Sequence, residues 1–355
     1  MRLYKGFKMD VIIFFGVILF LLLALFLFLV LTEYKPADRE PVQIYAFKED
    51  LPAVQAGQTV TLYTWNIGYA GLGKESDFFM DGGNMVDPPS QQIIEKNMDG
   101  IREFVRSQEA DIWLLQEVDK NSARTNGMDQ YIKVHSIVNG AAAFAYNYKA
   151  PFVPYPIPPL DRVESGIATF SNLLLDKNME RISLPCPFAW PIRVAQIKRC
   201  LLVTRTPVEG TDKELVTVNL HLEAYDDGEG KAAQTKVLMD FLQEEYNKGN
   251  YVIAGGDFNQ TFPGALDQYP IQDTKKWTPG TLTQSSLPEG WQFAYDTSAP
   301  TCRLLDKPYK NNCQLYVIDG FILSPNVKLE AVETQDLNFE CSDHNPVRLE
   351  VTLIP

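Results

Sequence analysis

Eight polar side chains stand at or near the ends of apolar segments in this sequence, where hydrophobic packing gives no reason for them. They are Asn66 in T-L-Y-T-W-N, Glu117 in D-I-W-L-L-Q-E, His221 in V-N-L-H-L, Asp257 and Asn259 in V-I-A-G-G-D-F-N, Asp319 in Y-V-I-D-G-F, and Asp343 and His344 in C-S-D-H-N-P. A buried carboxylate is costly unless it is paired or bound to a metal. Polar groups that converge at the ends of neighbouring strands therefore indicate a functional site.

The residue types indicate which metal such a site would hold. Asn, Asp and Glu offer hard oxygen ligands, whereas the chain has only 3 histidines and 5 cysteines and contains no Cys-x-x-Cys pair. Oxygen ligands suit Mg²⁺, Mn²⁺ or Ca²⁺, not a structural zinc site. Mg²⁺ usually takes one or two carboxylates and keeps waters for a substrate phosphate. One such metal, together with two histidines and the Asp257–Asn259 pair, suits the hydrolysis of a phosphate ester.

The composition is that of an acidic globular protein. The 355 residues are 45% hydrophobic, and 32 Lys and Arg stand against 45 Asp and Glu, for a net charge of −13. Non-specific nucleic-acid binding rests on clustered basic residues, so this balance argues against a free basic-patch protein. It does not exclude an enzyme that handles phosphate, because a bound cation can supply the positive charge locally.

The elements that must position these side chains are predicted strands with helices between them. Strand-like patterning covers residues 59–66, 111–117, 215–222, 251–259, 316–323 and 347–353. Apolar residues recur at helical spacing over 93–105 and again over 237–242, where 247–250 ends the helix. Because strands outnumber helices, we predict two sheets packed face to face with helices outside, an α/β (α+β) fold, rather than one doubly wound sheet.

Several of these residues also have a purely structural interpretation. Asn66 alone is a plausible turn former, and Glu117 alone could end a strand at the surface. His221 could be a hydrogen-bonded structural histidine, and Asp257 with Asn259 could form a strand-end turn. We favour function for the set, since period two places Asp257 and Asn259 on one side of the strand. The third histidine lies outside every motif, and we interpret it as structural; it is His135.

The N-terminus carries an uncharged apolar run at residues 11–31. About 20 apolar residues span a bilayer as a helix, and this run is too long and lacks the small-residue site of a cleaved signal peptide. Arg2, Lys5 and Lys8 precede it, so the positive-inside rule places residues 1–10 in the cytoplasm and the rest outside the cell membrane. Residues 32–57, charged and with three prolines, are predicted as a linker, and residues 58–355 as one soluble domain.

Six of the motifs together resemble a known family. W-N-I-G, L-L-Q-E-V, N-L-H-L, G-G-D-F-N, I-D-G-F and S-D-H-N-P, in this order over nearly all of residues 59–354, are similar to the endonuclease/exonuclease/phosphatase superfamily with the deoxyribonuclease-I-like fold. The resemblance implies a four-layer α/β/β/α sandwich and Mg²⁺- or Mn²⁺-dependent phosphoester hydrolysis. It does not choose the substrate, because members cut DNA, RNA, phosphoinositides and sphingomyelin.

The resemblance also implies roles for individual residues, beginning with the metal and the attacking water. Asn66 and Glu117 match metal-ligand positions. Asp257 matches the residue that orients or deprotonates the attacking water, and Asn259 matches one that helps to hold the phosphate. His221 matches the second catalytic histidine.

The last two motifs contain the residues that the resemblance places against the phosphate. His344 matches the phosphate-contacting histidine, Asp319 its orienting carboxylate, and Asp343 a residue near the metal or the scissile oxygen. Some members have an acid two residues after the position of Asn66, where this chain has Gly68, which puts a second fixed metal in doubt.

Two segments are candidates for substrate specificity. One is rich in proline and aromatic residues (144–156), and the other combines a proline-aromatic run with basic residues (184–199). Each could equally be a packed surface loop. Cys302 and Cys313 flank a turn-like segment, and an exported location permits a disulfide there, although spacing alone does not establish the geometry.

The sequence therefore predicts a membrane-anchored phosphoester hydrolase that acts outside the cytoplasm. The substrate is a phosphoester, and a nuclease is the leading interpretation. A phospholipid or inositol-phosphate phosphodiesterase is the alternative, favoured by the anchor and the negative charge. An inactive surface binding module is the remaining possibility, and the complete set of acids and histidines argues against it. Nothing in the sequence implies a protein partner.

Overall fold

The computed structural model describes residues 2–42, 44–46, 50–88, 90–226, 228–310 and 312–355. Residue 1, from the predicted cytoplasmic segment, and residues 43 and 47–49, from the predicted linker, lie outside the described residues.

Two seven-stranded sheets form the body of the protein. The strands of the first sheet, in spatial order, are β1 (Arg39–Pro41), β7 (Glu180–Ser183), β8 (Cys200–Pro207), β9 (Glu214–His221), β10 (Tyr251–Asp257), β16 (Asp319–Leu323) and β13 (Gln292–Ala294). Those of the second sheet are β17 (Val327–Thr334), β18 (Val347–Leu353), β3 (Thr59–Asn66), β4 (Ile112–Asp119), β6 (Asp161–Ser171), β5 (Ala141–Val153) and β2 (Ile44–Ala46). Two short pairs lie beside them: β11 (Gln260–Thr261) with β12 (Gly280–Thr281), and β14 (Cys302–Arg303) with β15 (Leu315–Tyr316).

The helices are α1 (Arg2–Thr32), α2 (Gln91–Ser107), α3 (Gln130–Val138), α4 (Glu229–Asn247) and α5 (Ala265–Gln268). Helices α2 and α3 cover the outer face of the second sheet, and α4 covers that of the first. The side chain of Ser90 caps α2 by accepting from the Ile93 amide, and Asp129 caps α3 in the same way through the Ile132 amide. Both caps fix where the chain leaves a loop and enters a helix.

Three apolar cores hold the layers together. Between the sheets, side chains such as Leu62, Leu114, Ile253, Phe321 and Leu349 form one core. A second core joins α2 and α3 to β3, β4 and β6, and a third joins α4 to β8, β9 and β10. Burial on both faces explains why β10 has no polar side chain before its last residue, Asp257, apart from the Tyr251 hydroxyl. The arrangement confirms the predicted α/β/β/α sandwich.

The segment 32–57, predicted as a linker, contains β1 and β2 and a bridge from Val54 to Val208. Strand β1 pairs with β7 at the edge of one sheet, and β2 pairs with β5 at the edge of the other. The segment therefore lies along the sandwich and covers one edge of each sheet, which the absence of periodicity in its sequence did not indicate.

The N-terminal helix α1 is long and apolar enough to cross a membrane. Its candidate span is Lys8–Thr32, with a mean hydropathy of 3.3 and none of that window buried inside the protein. Length and composition alone support this assignment.

Candidate active site

Three neighbouring strands of the first sheet place polar side chains in one row. Asp257 is the last residue of β10, and its register partners are His221 on the parallel strand β9 and Asp319 on the antiparallel strand β16. Gly256, one residue earlier, has φ of +154°, and a Cβ there would lie 1.9 Å from the Leu220 carbonyl oxygen. Only glycine lets β10 approach β9 so closely at this point.

The second sheet contributes Asn66 and Glu117. Asn66 is the last residue of β3. Glu117 lies in an irregularity of β4, where the register with β6 shifts between Leu115 and Val118, and its φ is +53°. A bulge of this kind re-aims a side chain, and a left-handed conformation at a glutamate is uncommon and clusters at functional sites.

Hydrogen bonds from Asn66 join the polar residues of the second sheet to those of the first. The Asn66 amide Nδ2 donates to Glu117 Oε1 at 3.2 Å and to Asp257 Oδ2 at 3.0 Å. Asn66 Oδ1 accepts from the Gly68 amide at 3.0 Å. Asn66 therefore connects the carboxylate of its own sheet with that of the opposite sheet.

His344 and Asp319 form a buried pair. His344 Nδ1 lies 2.8 Å from Asp319 Oδ2, and its Nε2 faces Asp257 Oδ2 at 3.8 Å and Asp343 Oδ2 at 4.0 Å. Burial acts to lower the pKa of His344, but the negative charge of Asp319 and its neighbours outweighs it and raises the pKa well above the ordinary value. The environment thus favours an imidazolium whose Nε2 points into the site.

The second histidine has the opposite electrostatic environment. His221 Nε2 lies 3.5 Å from Asp257 Oδ2, and its buried Nδ1 has no hydrogen-bond partner among the described residues. Burial, with the positive charges of Arg199 and His344, lowers its pKa well below the ordinary value. His221 is therefore favoured as a neutral ring, so the two histidines are held in different protonation states.

Crowded carboxylates suit a divalent cation at this place. Burial raises the pKa of Glu117, and burial with the charge of Asp319 raises the pKa of Asp257 to about 6. Burial also raises the pKa of Asp343 to about 7, and Glu117 adds to that shift. A cation relieves the electrostatic cost of such a group, and carboxylate and amide oxygens are the donors that Mg²⁺ or Mn²⁺ prefers. The residues present therefore fit the metal.

Two sets of side chains could hold that ion. Asn66 and Glu117 form the pair assigned from the sequence. Potential ligand atoms of Asp257, Asp319 and His344 also lie within 4.8 Å of one another. In the second set, however, Asp319 and His344 already share a 2.8 Å hydrogen bond. Asn66 Oδ1 likewise accepts from the Gly68 amide, so these hydrogen bonds do not separate the two sets, and the family resemblance is what favours Asn66 and Glu117 as the ligands.

Asn259 and Asp343 complete the set predicted from the sequence. The Asn259 amide donates to Asp257 Oδ1 at 2.8 Å, and its side chain donates to the Leu222 carbonyl at 2.9 Å. Asp343 lies against Gly68, where an added Cβ would be 2.8 Å from Asp343 Oδ1 and φ is +49°. An acidic side chain at position 68 would therefore be strained here, which agrees with its absence from the sequence. Six of the eight predicted residues line one pocket, and the other two, Asn66 and Asp319, are hydrogen-bonded to residues that line it.

A buried polar network supports the site from below. Gln116 Nε2 donates to Asn219 Oδ1 at 2.8 Å across the sheets and to Thr64 Oγ1 at 3.1 Å. Asn219 donates in turn to the Leu115 and Ala168 carbonyls. Satisfied networks of this kind fix one arrangement of the surrounding core.

Three arginines line the pocket, and sequence analysis did not single out two of them, Arg124 and Arg303. Arg124 binds Asp119 through two hydrogen bonds of 2.9 and 3.1 Å and stacks over the Tyr69 ring at 3.5 Å. Arg303 donates to backbone carbonyls of residues 73, 76 and 307. Arg199 pairs with Glu223 at 3.4 Å. The nearby acid Asp119 could have indicated Arg124 as its ion-pair partner. The sequence holds no comparable signal for Arg303.

Both predicted specificity segments reach the pocket, which has a volume of about 480 Å³. Tyr148 and Tyr155 come from the first segment, and Phe188 and Ile192 from the second. The pocket therefore has aromatic and aliphatic walls above a polar floor.

The remaining sequence-based assignments concern residues away from this floor. His135 Nε2 donates to the Gly140 carbonyl at 3.1 Å, and the ring stacks near Tyr131, which agrees with a structural role. Cys302 and Cys313 are free thiols in this structure, so the disulfide is absent from it.

Comparison with known proteins bears on the family. The profile of the Endonuclease/Exonuclease/phosphatase family matches residues 63–344, which is more than half of the chain. The chain belongs to the endonuclease/exonuclease/phosphatase family. It is accordingly a phosphoesterase-type hydrolase, and the family is generally dependent on divalent metals. No curated protein sequence matches this chain.

Solved structures show the same fold. The endonuclease/exonuclease/phosphatase from Beutenbergia cavernae is similar with a TM-score of 0.57 and 16% identity, over 84% of this chain and 72% of that one. The corresponding protein from Bacteroides vulgatus has a TM-score of 0.53 and 17% identity, over 83% of this chain and 99% of that one. D. rerio TDP2 complexed with a single-strand DNA product has a TM-score of 0.50 and 16% identity, over 83% and 99%.

Proposed function

We propose that this protein hydrolyses a phosphodiester with the help of Mg²⁺ or Mn²⁺ bound by Asn66 and Glu117. The observation that carries the proposal is that four carboxylates, two histidines and Asn66 meet in one buried cluster to which both sheets contribute. Buried acids with a purely structural role would be paired with basic side chains or separated from one another by neutral hydrogen-bonding partners.

Asp257 is the group best placed to act on the attacking water. Asn259 and Asn66 hold its two oxygens from opposite sides, at 2.8 and 3.0 Å, so that its orientation is fixed. The raised pKa of Asp257, about 6, makes it a stronger base than an ordinary aspartate. A bound divalent cation would supply Lewis-acid stabilisation of the phosphate and the leaving oxygen.

The histidines would stabilise the charge that builds up on the phosphate. His344, held by Asp319, presents Nε2 to the site as part of an imidazolium, which offers a charged hydrogen-bond donor. His221, as a neutral ring, offers an uncharged donor on the other side of Asp257. Asn259 would help to hold the phosphate, and Asp343 would act near the metal or the scissile oxygen, as the resemblance implies.

The proposal predicts hydrolysis that depends on a divalent cation. We expect the purified protein to cleave at least one of DNA, RNA, phospholipid and phosphosugar substrates, to stop in EDTA, and to recover with Mg²⁺ or Mn²⁺. Product release is measured by chromatography, with Asp257→Asn as the inactive control. Absence of cleavage on the whole panel would contradict the proposal and favour an inactive binding module.

Nucleic acid is the first candidate substrate, as the sequence suggests. The similarity to a TDP2 structure that holds a single-strand DNA product is compatible with it. The pocket walls favour the other candidate, a lipid phosphodiester. They are largely apolar, and two of the three pocket arginines, Arg124 and Arg199, are paired with Asp119 and Glu223. Arg303, which donates to backbone carbonyls, keeps its charge, so one pocket arginine remains to attract a polyanionic backbone.

The proposed site of action is the outer face of the cell membrane, with α1 as the anchor. We expect a protease added to intact cells to degrade the soluble domain, because the positively charged end of the chain stays inside. Immunoblotting detects the loss, and a cytoplasmic protein that survives until lysis is the control. Protection of the domain until the cells are lysed would reverse the orientation.

A further inference from the structure

The last turns of α1 are attached directly to the catalytic domain. The Phe26 ring contacts the Trp190 ring edge to face, with centroids 5.4 Å apart. Just beyond the helix, the buried side chain of Glu33 lies 3.2 Å from the Lys198 amine and 3.5 Å from the Arg193 guanidinium. The domain is therefore held against the end of α1.

This attachment fixes the depth of Trp190. Phe26 lies within the candidate span Lys8–Thr32, and at 1.5 Å per residue it is about 9 Å below the end of α1. A side chain that contacts Phe26 from outside the helix lies at the same depth. If α1 spans a bilayer, the indole of Trp190 is therefore inside that bilayer.

Other apolar side chains are exposed near Trp190, on two loops that contact each other. Ile157 is 92% exposed, Tyr155 70%, Ile192 62% and Trp190 54%. We call these four residues the apolar rim. The end of β5, from which the first loop leaves, is joined to the second loop where Tyr148 Oη donates to the Ala195 carbonyl at 2.9 Å. Contiguous exposed apolar surface marks an interaction site, and Trp and Tyr are enriched where proteins meet a membrane interface.

The apolar rim borders the active-site pocket. Tyr155 and Ile192 belong to both, and further pocket walls come from the same two loops through Val153, Leu160, Phe188 and Ile197. His344 and Asp257 lie at the polar end of the same pocket. An apolar path therefore runs from the rim to the groups proposed to act on phosphate.

We infer that the apolar rim is inserted in the bilayer that α1 spans, and that the pocket takes a phosphodiester lipid from that same bilayer. The inference rests on the proposed phosphodiester hydrolysis and adds its substrate class. The lipid phosphate reaches the polar floor while its apolar part remains along the pocket walls and the rim. A protein partner would not explain why the rim contacts the membrane-spanning part of α1.

The reaction consumes one water for each lipid. The water oxygen forms a bond to phosphorus, and the bond from phosphorus to one ester oxygen breaks. That oxygen leaves as an alcohol after taking up a proton, and the other ester remains as a phosphomonoester. The products are a lipid alcohol with a phosphorylated head group, or phosphatidate with a head-group alcohol.

The test uses the full-length protein in nanodiscs of phosphatidylcholine and phosphatidylglycerol with Mg²⁺. Mass spectrometry follows both possible product pairs, while soluble bis(p-nitrophenyl) phosphate and a single-stranded DNA oligonucleotide are assayed in parallel. We expect cleavage of the lipid and of the soluble diester. Cleavage of the soluble diester or DNA without cleavage of lipid overturns this inference and leaves the proposed function intact. Cleavage of none of them contradicts the proposed function itself.

Rim variants separate docking from chemistry. Ile157 and Trp190 are not among the pocket-lining residues. We expect the double variant Ile157→Ser, Trp190→Ser to lose about tenfold or more in lipid hydrolysis, because membrane affinity scales with buried apolar area. Its rate on bis(p-nitrophenyl) phosphate should be unchanged. Ile132→Ser is the matched control, since Ile132 is 44% exposed on α3, a helix that packs against α2, β4 and β6. Equal lipid rates in the double variant and the control overturn the inference.

A measurement without turnover checks the depth of the rim. Brominated acyl chains quench tryptophans that contact them, and Trp65, Trp113 and Trp291 are buried at 1–3% exposure. We expect strong quenching in brominated nanodiscs and a clear reduction of it in Trp190→Phe. Identical quenching of the wild-type protein and Trp190→Phe would show that the indole is outside the acyl region and would overturn the inference.

Discussion

His344→Ala is expected to lower kcat/KM by about a hundredfold or more, because the substitution removes a charged donor aimed at the phosphate. Asp319→Asn should cause a loss of similar order. Asparagine keeps a hydrogen bond to Nδ1 of His344, but it can select the wrong tautomer and no longer stabilises the imidazolium. The rates are measured on whichever diester the wild-type protein cleaves.

The double variant, His344→Ala with Asp319→Asn, distinguishes two residues that act as one unit from two residues that act independently. The 2.8 Å contact between His344 Nδ1 and Asp319 Oδ2 predicts that the double variant is little slower than His344→Ala alone. His135→Ala is the matched control, since that histidine contacts the Gly140 carbonyl outside the pocket. Losses that simply multiply would require the dyad assignment to be dropped.

Glu117→Gln is expected to lower both metal affinity and turnover while the protein stays folded. Glutamine keeps the size of the side chain but removes the carboxylate charge from a site of oxygen ligands. Because burial raises the pKa of Glu117, the neutral side chain is tolerated in the fold. The measurement is the rate as a function of Mg²⁺ concentration, with circular dichroism as the check on folding.

An exposed acid provides the comparison for that variant. Glu109 lies on the surface after α2, so Glu109→Gln removes the same charge away from the site. We expect its Mg²⁺ dependence to equal that of the wild-type protein. If Glu117→Gln also retained the wild-type Mg²⁺ dependence, Glu117 would not be a metal ligand, and the second set of possible ligands would have to be considered.

The strand ends of the site could be predicted because their signal is local. Asn66, Asp257 and Asp319 each follow an apolar run, and a polar residue in that position has few structural explanations. Two packed sheets could be predicted because strand-like segments outnumber helical ones, whereas the order of the four layers was implied only by the family resemblance. Burial and hydrogen bonding then confirmed these parts of the fold.

Contacts between distant parts of the chain could not be predicted in this way. The pairing of β1 with β7 joins residues far apart in sequence, and nothing periodic in 32–57 announces it. The hydrogen bond from Tyr225 Oη to Asp81 Oδ1 at 2.8 Å, in the pocket wall, also joins residues that are far apart in the sequence. The bulge at Glu117 also depends on pairing with β6, which the sequence of β4 alone does not contain.

The hydrogen bond from Asn66 to Asp257 joins side chains from opposite sheets, and the contact between Gln116 and Asn219 does the same below it. Neither sheet alone possesses all of the residues proposed to act in catalysis. A compact misfolded chain whose sheets met in a shifted register would hold the same residues without bringing the two halves together. Catalysis by this protein therefore indicates that the two sheets have packed in the correct register. Selection for turnover acts at the same time on that packing.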